Sequence, residues 1–192
     1  MKRILAILIT NLALLIGVGT TANAYTTYQS WRFKDSVVCI TNNVTWFPAM
    51  GAARYWRTNN TSGLWLTSGP DCQASGFSRK QTVIVKVTKS TERYCARTGS
   101  ENNSYTWEYV YINGVKTAMW TPNAMTITLN TYYWNGCWKT AGMRLHTAVH
   151  EEGHAIGLAH ADPTGAKSVM IQGRYDILIP QYKDYRNLEK RY

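Results

Sequence analysis

Alternation of apolar and polar residues predicts a chain built largely from short strands. Residues 105–112 and 115–120 alternate on either side of Asn113-Gly114, which predicts an antiparallel hairpin. The polar stretch of residues 91–104 predicts a surface loop, and residues 68–71 predict a turn. Runs of β-branched or alternating residues predict further strands over residues 36–41, 64–67, 82–87 and 125–130.

Three segments have the apolar spacing of helices. Trp46, Met50, Ala53 and Trp56 predict a helix over residues 46–57. A longer helix is predicted from about residue 141 to residue 157, and a short C-terminal helix is predicted after Pro180. This order of strand, helix, several strands and a second long helix predicts the α+β fold class.

The N-terminus predicts a secretory signal peptide. A basic start at Met1-Lys2-Arg3 precedes an apolar run over residues 4–18, and Ala22-Asn23-Ala24 follows. Cleavage is expected after Ala24, so residues 25–192 are expected to form one secreted domain. A transmembrane anchor is the weaker interpretation, because the run falls short of about 20 residues.

Charge and cysteine content add two expectations. Removing Lys2 and Arg3 lowers the formal charge from +10 to +8. A net charge of +8 is compatible with affinity for anionic surfaces. The basic residues are spread out, and no nucleic-acid-binding motif is found. Four cysteines in a secreted chain predict two disulfides, and spacing leaves three pairings open. The pairing that we favour is Cys72–Cys95 with Cys39–Cys137.

One motif organises the chemistry of the chain. The residues from position 150 to position 160 read H-E-E-G-H-A-I-G-L-A-H, which contains H-E-x-x-H-x-x-G-x-x-H. Its first two histidines are one helical turn apart, so their imidazoles share a face. A glycine can end the helix and turn the chain, which brings the third histidine to the same point. Three nitrogen ligands with an open fourth position are typical of catalytic zinc. The motif residues are His150, Glu151, His154, Gly157 and His160.

The motif, with Ser168-Val169-Met170 downstream, resembles the metzincin clan of zinc endopeptidases and its small matrixin-like branch. The resemblance implies a twisted mixed β-sheet, an active-site helix and a C-terminal helix. It implies one catalytic Zn²⁺ on the three histidines, and Glu151 as the base for the zinc-bound water. Met170 would be a hydrophobic floor in the Met-turn. Residues 115–120 are the candidate for the edge strand that pairs with an extended polypeptide substrate, and an ordinary hairpin arm is the other interpretation. The protein would be a monomer.

Several positions depart from that family pattern. Glu152 stands where the family has an apolar residue, so we expect an exposed position there. His146 lies one turn before His150 and is an alternative ligand, with a hydrogen-bonded core histidine as the other interpretation. Tyr175 could line the pocket, and Asp162 could brace a zinc ligand or be a loop residue. Structural calcium is open but has no D-x-D-x-D loop to support it.

Three functions follow from the sequence. The leading hypothesis is a secreted zinc endopeptidase, and the second is a zinc-dependent cell-wall amidase or peptidase. The third is a non-catalytic module that binds zinc for structure, which the presence of Glu151 disfavours because a structural site needs no base.

Overall fold

The computed structural model describes residues 29, 31–34, 36–68, 82–112 and 114–192. The predicted signal peptide and most of the predicted turn at residues 68–71 lie outside these ranges, as does the boundary at Ala24. No helix within the described part of the chain combines the length and the apolar character that crossing a membrane requires.

A five-stranded mixed sheet forms the main layer. Its spatial order is β2 (Trp65–Ser68), β1 (Val37–Asn42), β3 (Thr82–Thr88), β7 (Ala124–Asn130) and β4 (Ala96–Ser100). Neighbouring strands are parallel except at the last pair, where β4 runs antiparallel to β7. Two further strands, β5 (Tyr105–Ile112) and β6 (Val115–Pro122), form a separate antiparallel hairpin.

Four helices accompany the sheet in the described ranges. They are α1 (Ala49–Thr58), α2 (Trp134–Cys137), α3 (Ala141–Ala155) and α4 (Tyr182–Glu189). Helices α1 and α3 pack on each other, and the indole Nε1 of Trp56 donates to the backbone oxygen of Val149 at 3.0 Å. Alternate residues of β3 and β7, including Val83, Val85 and Ile127, are buried in the core with them. The core therefore holds α3 in a fixed position.

The predicted α+β class and mixed sheet are confirmed, and two local predictions are wrong. Residues 91–104 were predicted as a loop, but β4 lies within them. Its sequence, A-R-T-G-S, has no apolar alternation, and the strand is defined by pairing with β7. Residues 115–120 pair in the predicted hairpin, so their interpretation as an ordinary hairpin arm is confirmed and their interpretation as the edge strand beside the active-site helix is wrong. The main-sheet edge that contacts α3 is β4.

The favoured disulfide pairing is also wrong. Cys95 is bonded to Cys137. Cys95 immediately precedes β4 and Cys137 follows β7 at the end of α2, so pairing of those strands brings the two cysteines together. Cys39 lies in β1, which β3 and β7 separate from β4. Cys39 is disulfide-bonded as well.

Candidate metal centre

Helix α3 carries the first two histidines of the motif, and its ends are defined by local contacts. At its start, the Thr140 side chain accepts a hydrogen bond from the backbone N–H of Met143 at 3.1 Å. The helix ends at Ala155, and Gly157 follows with φ +96°. A side chain at Gly157 would place Cβ 3.0 Å from the backbone oxygen of Trp31. Glycine is therefore required both for the turn and for the close approach of the N-terminal segment.

The turn brings three histidine nitrogens together. His154 Nε2 lies 3.1 Å from His150 Nε2 and 3.1 Å from His160 Nε2. Ligand atoms of all three residues lie within 4.8 Å of one another. Two nitrogens bound to one tetrahedral zinc at about 2.0–2.1 Å would lie about 3.3 Å apart. The three residues therefore form a group that could hold a metal ion.

Backbone carbonyls orient two of these imidazoles. His150 Nδ1 lies 2.8 Å from the oxygen of Val169, and His154 Nδ1 lies 2.8 Å from the oxygen of Leu158. A carbonyl can only accept, so each Nδ1 carries the hydrogen. Each Nε2 then has a free lone pair directed at the shared point, which is the tautomer that a metal requires.

Desolvation favours the neutral form of the three imidazoles, although His160 is exposed. Desolvation lowers the pKa of His150 well below its ordinary value and lowers that of His154 to about 4. Desolvation also lowers the pKa of His160. A metal would thus meet imidazoles that need not lose a proton at neutral pH.

Glu151 lies beside the first histidine and lines the same cleft. Its side chain is buried, and Oε2 accepts a hydrogen bond from the hydroxyl of Thr98 at 2.6 Å. Burial raises the pKa of the Glu151 carboxyl to about 7, against the lowering effect of the Thr98 hydrogen bond. A carboxyl with such a pKa can both take and return a proton near neutral pH.

Met170 lies beneath the helix. It is buried, and a Cβ added at Gly153 would meet Met170 Sδ at 2.4 Å. The sequence did not predict which residue stabilises the turn formed by residues 168–170. The Asp184 carboxylate accepts from the backbone N–H of Val169 at 3.0 Å and from the hydroxyl of Ser168. Because Val169 also supplies the carbonyl that orients His150, Asp184 supports the metal site from α4.

The remaining candidates lie in different environments. His146 is buried, and its Nδ1 lies 2.7 Å from the oxygen of Ile177. It is outside the converging group, and its ring centroid is 5.0 Å from that of Tyr175, which lines the cleft. Asp162 Oδ1 accepts from the backbone N–H of Thr164 at 2.8 Å, as a loop residue does. Glu152 was expected to be exposed, which is wrong because it is fully buried.

The histidines open into a cleft of about 740 Å³. One wall is β4 with the residues that precede it, including Arg93 and Arg97. His146, Tyr175, Trp31 and Tyr105 also line the cleft. The cluster is therefore reachable by a ligand larger than water.

Comparisons with known proteins identify no family for this chain. No family model matches, and no curated protein matches. Among solved structures, a chain of the "GM1 bound form of the ECX AB5 holotoxin" is similar at a TM-score of 0.47 and 13% identity. The match covers 82% of this chain and 80% of that chain. A likeness of this size transfers neither fold nor ligand to this protein.

These findings correct the family assignment made from the motif. The sequence predicted a matrixin-like metzincin, but no family model matches this chain. The assignment to that clan is withdrawn. The predictions that depended on it are withdrawn too, namely a secreted endopeptidase, an extended polypeptide partner and a monomeric state.

Proposed function

We propose that this protein is a metal-dependent hydrolase in which His150, His154 and His160 hold Zn²⁺ and Glu151 is the general base. The observation that carries the proposal is the convergence of three Nε2 atoms next to a buried carboxyl in one cleft. Neutral imidazole is a preferred zinc ligand, and three of them leave a coordination position open. A site that served structure alone would be expected to have a fourth protein ligand.

The roles of the residues follow from their contacts. Zinc, when bound, supplies Lewis acidity that activates water and polarises an electrophile. Glu151 accepts a proton from the attacking water and returns it to the leaving group. Thr98 holds one carboxylate oxygen of Glu151, which fixes the direction of the base. Val169 and Leu158 hold His150 and His154 in the metal-binding tautomer.

The test compares Glu151→Gln with Glu152→Gln. Each variant keeps the shape of the side chain, but only the first removes a carboxylate from the cleft. Zinc is measured by mass spectrometry, and hydrolysis is measured with an activated aryl ester and a dye-labelled denatured protein. We expect about one zinc per chain in both variants. Hydrolysis should fall about 10²- to 10⁴-fold only in Glu151→Gln.

The outcomes separate the proposed enzyme from its alternative. A Glu151→Gln variant that hydrolyses as fast as the parent would remove Glu151 from the mechanism. Stoichiometric zinc without hydrolysis of any probe by the parent protein would favour a non-catalytic metal-binding module.

We also propose that residues 1–24 are a cleaved signal peptide and that residues 25–192 form one secreted domain. The bonded cysteines support an oxidising compartment. Mass spectrometry of the exported protein should give an N-terminus at Tyr25, and an intact Met1 on exported protein would contradict cleavage.

A further inference from the structure

The hairpin of β5 and β6 presents a row of aromatic rings on its outer face. Residues 105, 107, 109 and 111 of β5 are exposed, whereas the alternate residues point to the partly or fully buried side. Cross-strand pairing places Trp120 opposite Trp107 and Lys116 opposite Tyr111. We call this surface the aromatic face, and it consists of Tyr105, Trp107, Tyr109, Tyr111 and Trp120.

The area of the aromatic face has the size of a binding site. Trp107, Tyr109, Tyr111 and Trp120 are 56%, 62%, 64% and 46% exposed. With roughly 200 Å² for each aromatic side chain, these four expose roughly 450 Å². Patches of about 300–600 Å² are often functional. A stable dimer buries about 800 Å² on each partner, so this face alone is too small for a second copy of the chain.

The shape of the aromatic face is long and narrow. Alternate residues of a strand lie about 6.8 Å apart, so the four rings of β5 span about 20 Å. The row is continuous with the metal cleft, because Tyr105 belongs to both. The Trp31 ring, also in the cleft, lies 6.5 Å from the Tyr105 ring, and Trp31 forms a β-bridge with Trp120. A linear ligand on the row would therefore point into the cleft.

The charge and geometry of the aromatic face disfavour nucleic acid and extended polypeptide as its ligand, and they favour a carbohydrate. Single-stranded nucleic acid requires a basic track, but residues 105–122 contain one basic residue, Lys116, which packs 4.5 Å from the centre of the Tyr109 ring. A polypeptide strand would bind the edge of a sheet through its backbone, not the flat face. Sugar rings present C–H groups that fit the negative face of an aromatic ring. The tyrosine hydroxyls can also exchange hydrogen bonds with sugar hydroxyls.

We propose that the aromatic face binds a linear polysaccharide and directs it into the metal cleft. Binding at this surface does not depend on hydrolysis. It is expected in the Glu151→Gln variant and in protein without zinc, so its failure and failure of the hydrolase proposal are separate results.

The test measures binding by isothermal titration calorimetry with the exported protein. The probes are chitohexaose, which is neutral, and a galacturonate hexamer, which is anionic. We expect saturable binding of at least one hexamer, and the pair distinguishes a neutral from an anionic source. Trp107→Ala and Tyr111→Ala should each weaken binding about 2- to 12-fold, the range for loss of one ring contact. The double variant should weaken binding by the product of the two.

Control variants distinguish the loss of ring stacking on the aromatic face from loss of a tyrosine elsewhere, loss of a hydroxyl and loss of folding. Tyr182→Ala removes a tyrosine from α4 that is more exposed, at 79%, than any residue of the aromatic face, and it should leave binding unchanged. Tyr109→Phe keeps a ring on the aromatic face and should retain most of the affinity. Thermal melts check that each variant is folded. If Trp107→Ala unfolds, Tyr111→Ala, near the hairpin turn, replaces it as the variant that tests binding. Binding of neither hexamer, or full binding by the double variant, would overturn the proposal. Selective binding of (dT)₁₂ or dimerisation through this face would also overturn it.

Discussion

The hydroxyl oxygen of Thr98 lies 2.6 Å from Oε2 of Glu151 and 3.1 Å from the backbone oxygen of the same residue. Thr98 is the central residue of the edge strand β4, and Glu151 is in the helix that carries two histidines. One side chain thus joins the edge of the sheet to the metal helix. The strand positions the proposed base as well as forming a wall of the cleft.

Replacing Thr98 by valine should separate metal binding from catalysis. Valine keeps the shape but donates no hydrogen bond, and such a bond to a charged group contributes about 1.5–3 kcal/mol. We expect unchanged zinc content and hydrolysis slower by about 10- to 100-fold. The lost bond normally lowers the pKa of Glu151, so the acidic limb of the pH–rate profile should move to higher pH.

Ser100→Ala is the matched control for this prediction. It removes a hydroxyl from the same strand, but that hydroxyl donates to the backbone oxygen of Ser104 at 2.8 Å. Its hydrolysis rate should stay near that of the parent. Equal rates in Thr98→Val and the parent would show that Thr98 does not position the base.

Local patterns predicted the helix and the converging histidines, because both depend on residues close in sequence. The spacing of His150 and His154 and the turn at Gly157 are set within about ten residues. The contact of Thr98 with Glu151 joins positions 53 residues apart. Nothing in A-R-T-G-S predicts a strand, since β4 exists through pairing with β7. The pairing of β4 with β7 therefore determines that Thr98 contacts the proposed base, Glu151.

The contact through which α4 supports the metal site could not be predicted either, because it also joins residues from different elements. Asp184 has a local role as a capping residue, in which its side chain accepts from the backbone N–H of Gln181 at 2.8 Å. That role follows from sequence spacing. Its bond to the N–H of Val169 depends on how α4 packs, which periodicity does not describe. The disulfide of Cys95 and Cys137 depends on strand order in the same way.

Single substitutions of His160 and His146 should have opposite effects on zinc. His160→Ala removes a converging nitrogen, so zinc affinity should fall by at least about 100-fold. His146→Ala removes a hydrogen bond to Ile177 and should lower thermal stability while zinc remains bound. Competition with a coloured chelator measures both affinities. Loss of zinc in His146→Ala with retention in His160→Ala would mean that the third ligand is His146.

Zinc affinity should depend weakly on pH between 7 and 5.5. Protons compete with zinc for imidazole only below the pKa of each ligand in the zinc-free protein. Burial lowers the pKa of His154 to about 4, and it lowers the pKa values of His150 and His160 as well. Three histidines at the ordinary value of about 6.5 would lose roughly 600-fold in affinity over this range. We expect a loss below about 10-fold in chelator competition, and a steep loss would contradict the lowered pKa values of the three ligands.

The same pKa shifts set the stability of the zinc-free protein. The unfolded chain binds protons at its histidines below about pH 6.5, whereas the folded cluster stays neutral to lower pH. The contribution of these histidines to the free energy of unfolding should therefore decrease as pH falls from 6.5 towards 4, whereas the buried Glu151 and Glu152 carboxyls, with raised pKa values, contribute in the opposite direction. Urea titrations of zinc-free parent and zinc-free His154→Asn at each pH isolate the contribution of His154. The stability difference between parent and variant should change in favour of the variant as pH falls, and a difference that is independent of pH would contradict the expectation.

Gly153→Ala should destabilise the protein even though alanine is the better helix former. The added Cβ would lie 2.4 Å from Met170 Sδ and 2.8 Å from Trp56 Cζ2. Trp56 is fully buried and held by its bond to Val149, so it has little freedom to retreat. Overpacking costs about 1–3 kcal/mol, which exceeds the propensity gain of about 1 kcal/mol at most sites of this kind. We expect a melting temperature lower by several degrees.

Gly51→Ala provides the comparison, because Gly51 is a helical glycine in α1 whose added Cβ meets nothing within 4 Å. It should stabilise the protein by about 0.5–1 kcal/mol. Shortening the obstructing side chain in Gly153→Ala/Met170→Ala should lose less than the sum of the two single variants, because the alanine methyl fills part of the space that Met170 leaves. Additive losses would mean that Met170 does not press against α3 at Gly153. If Gly153→Ala lowers stability, Gly51→Ala raises it, and the double variant is non-additive, the destabilisation arises from the contact between residue 153 of α3 and Met170.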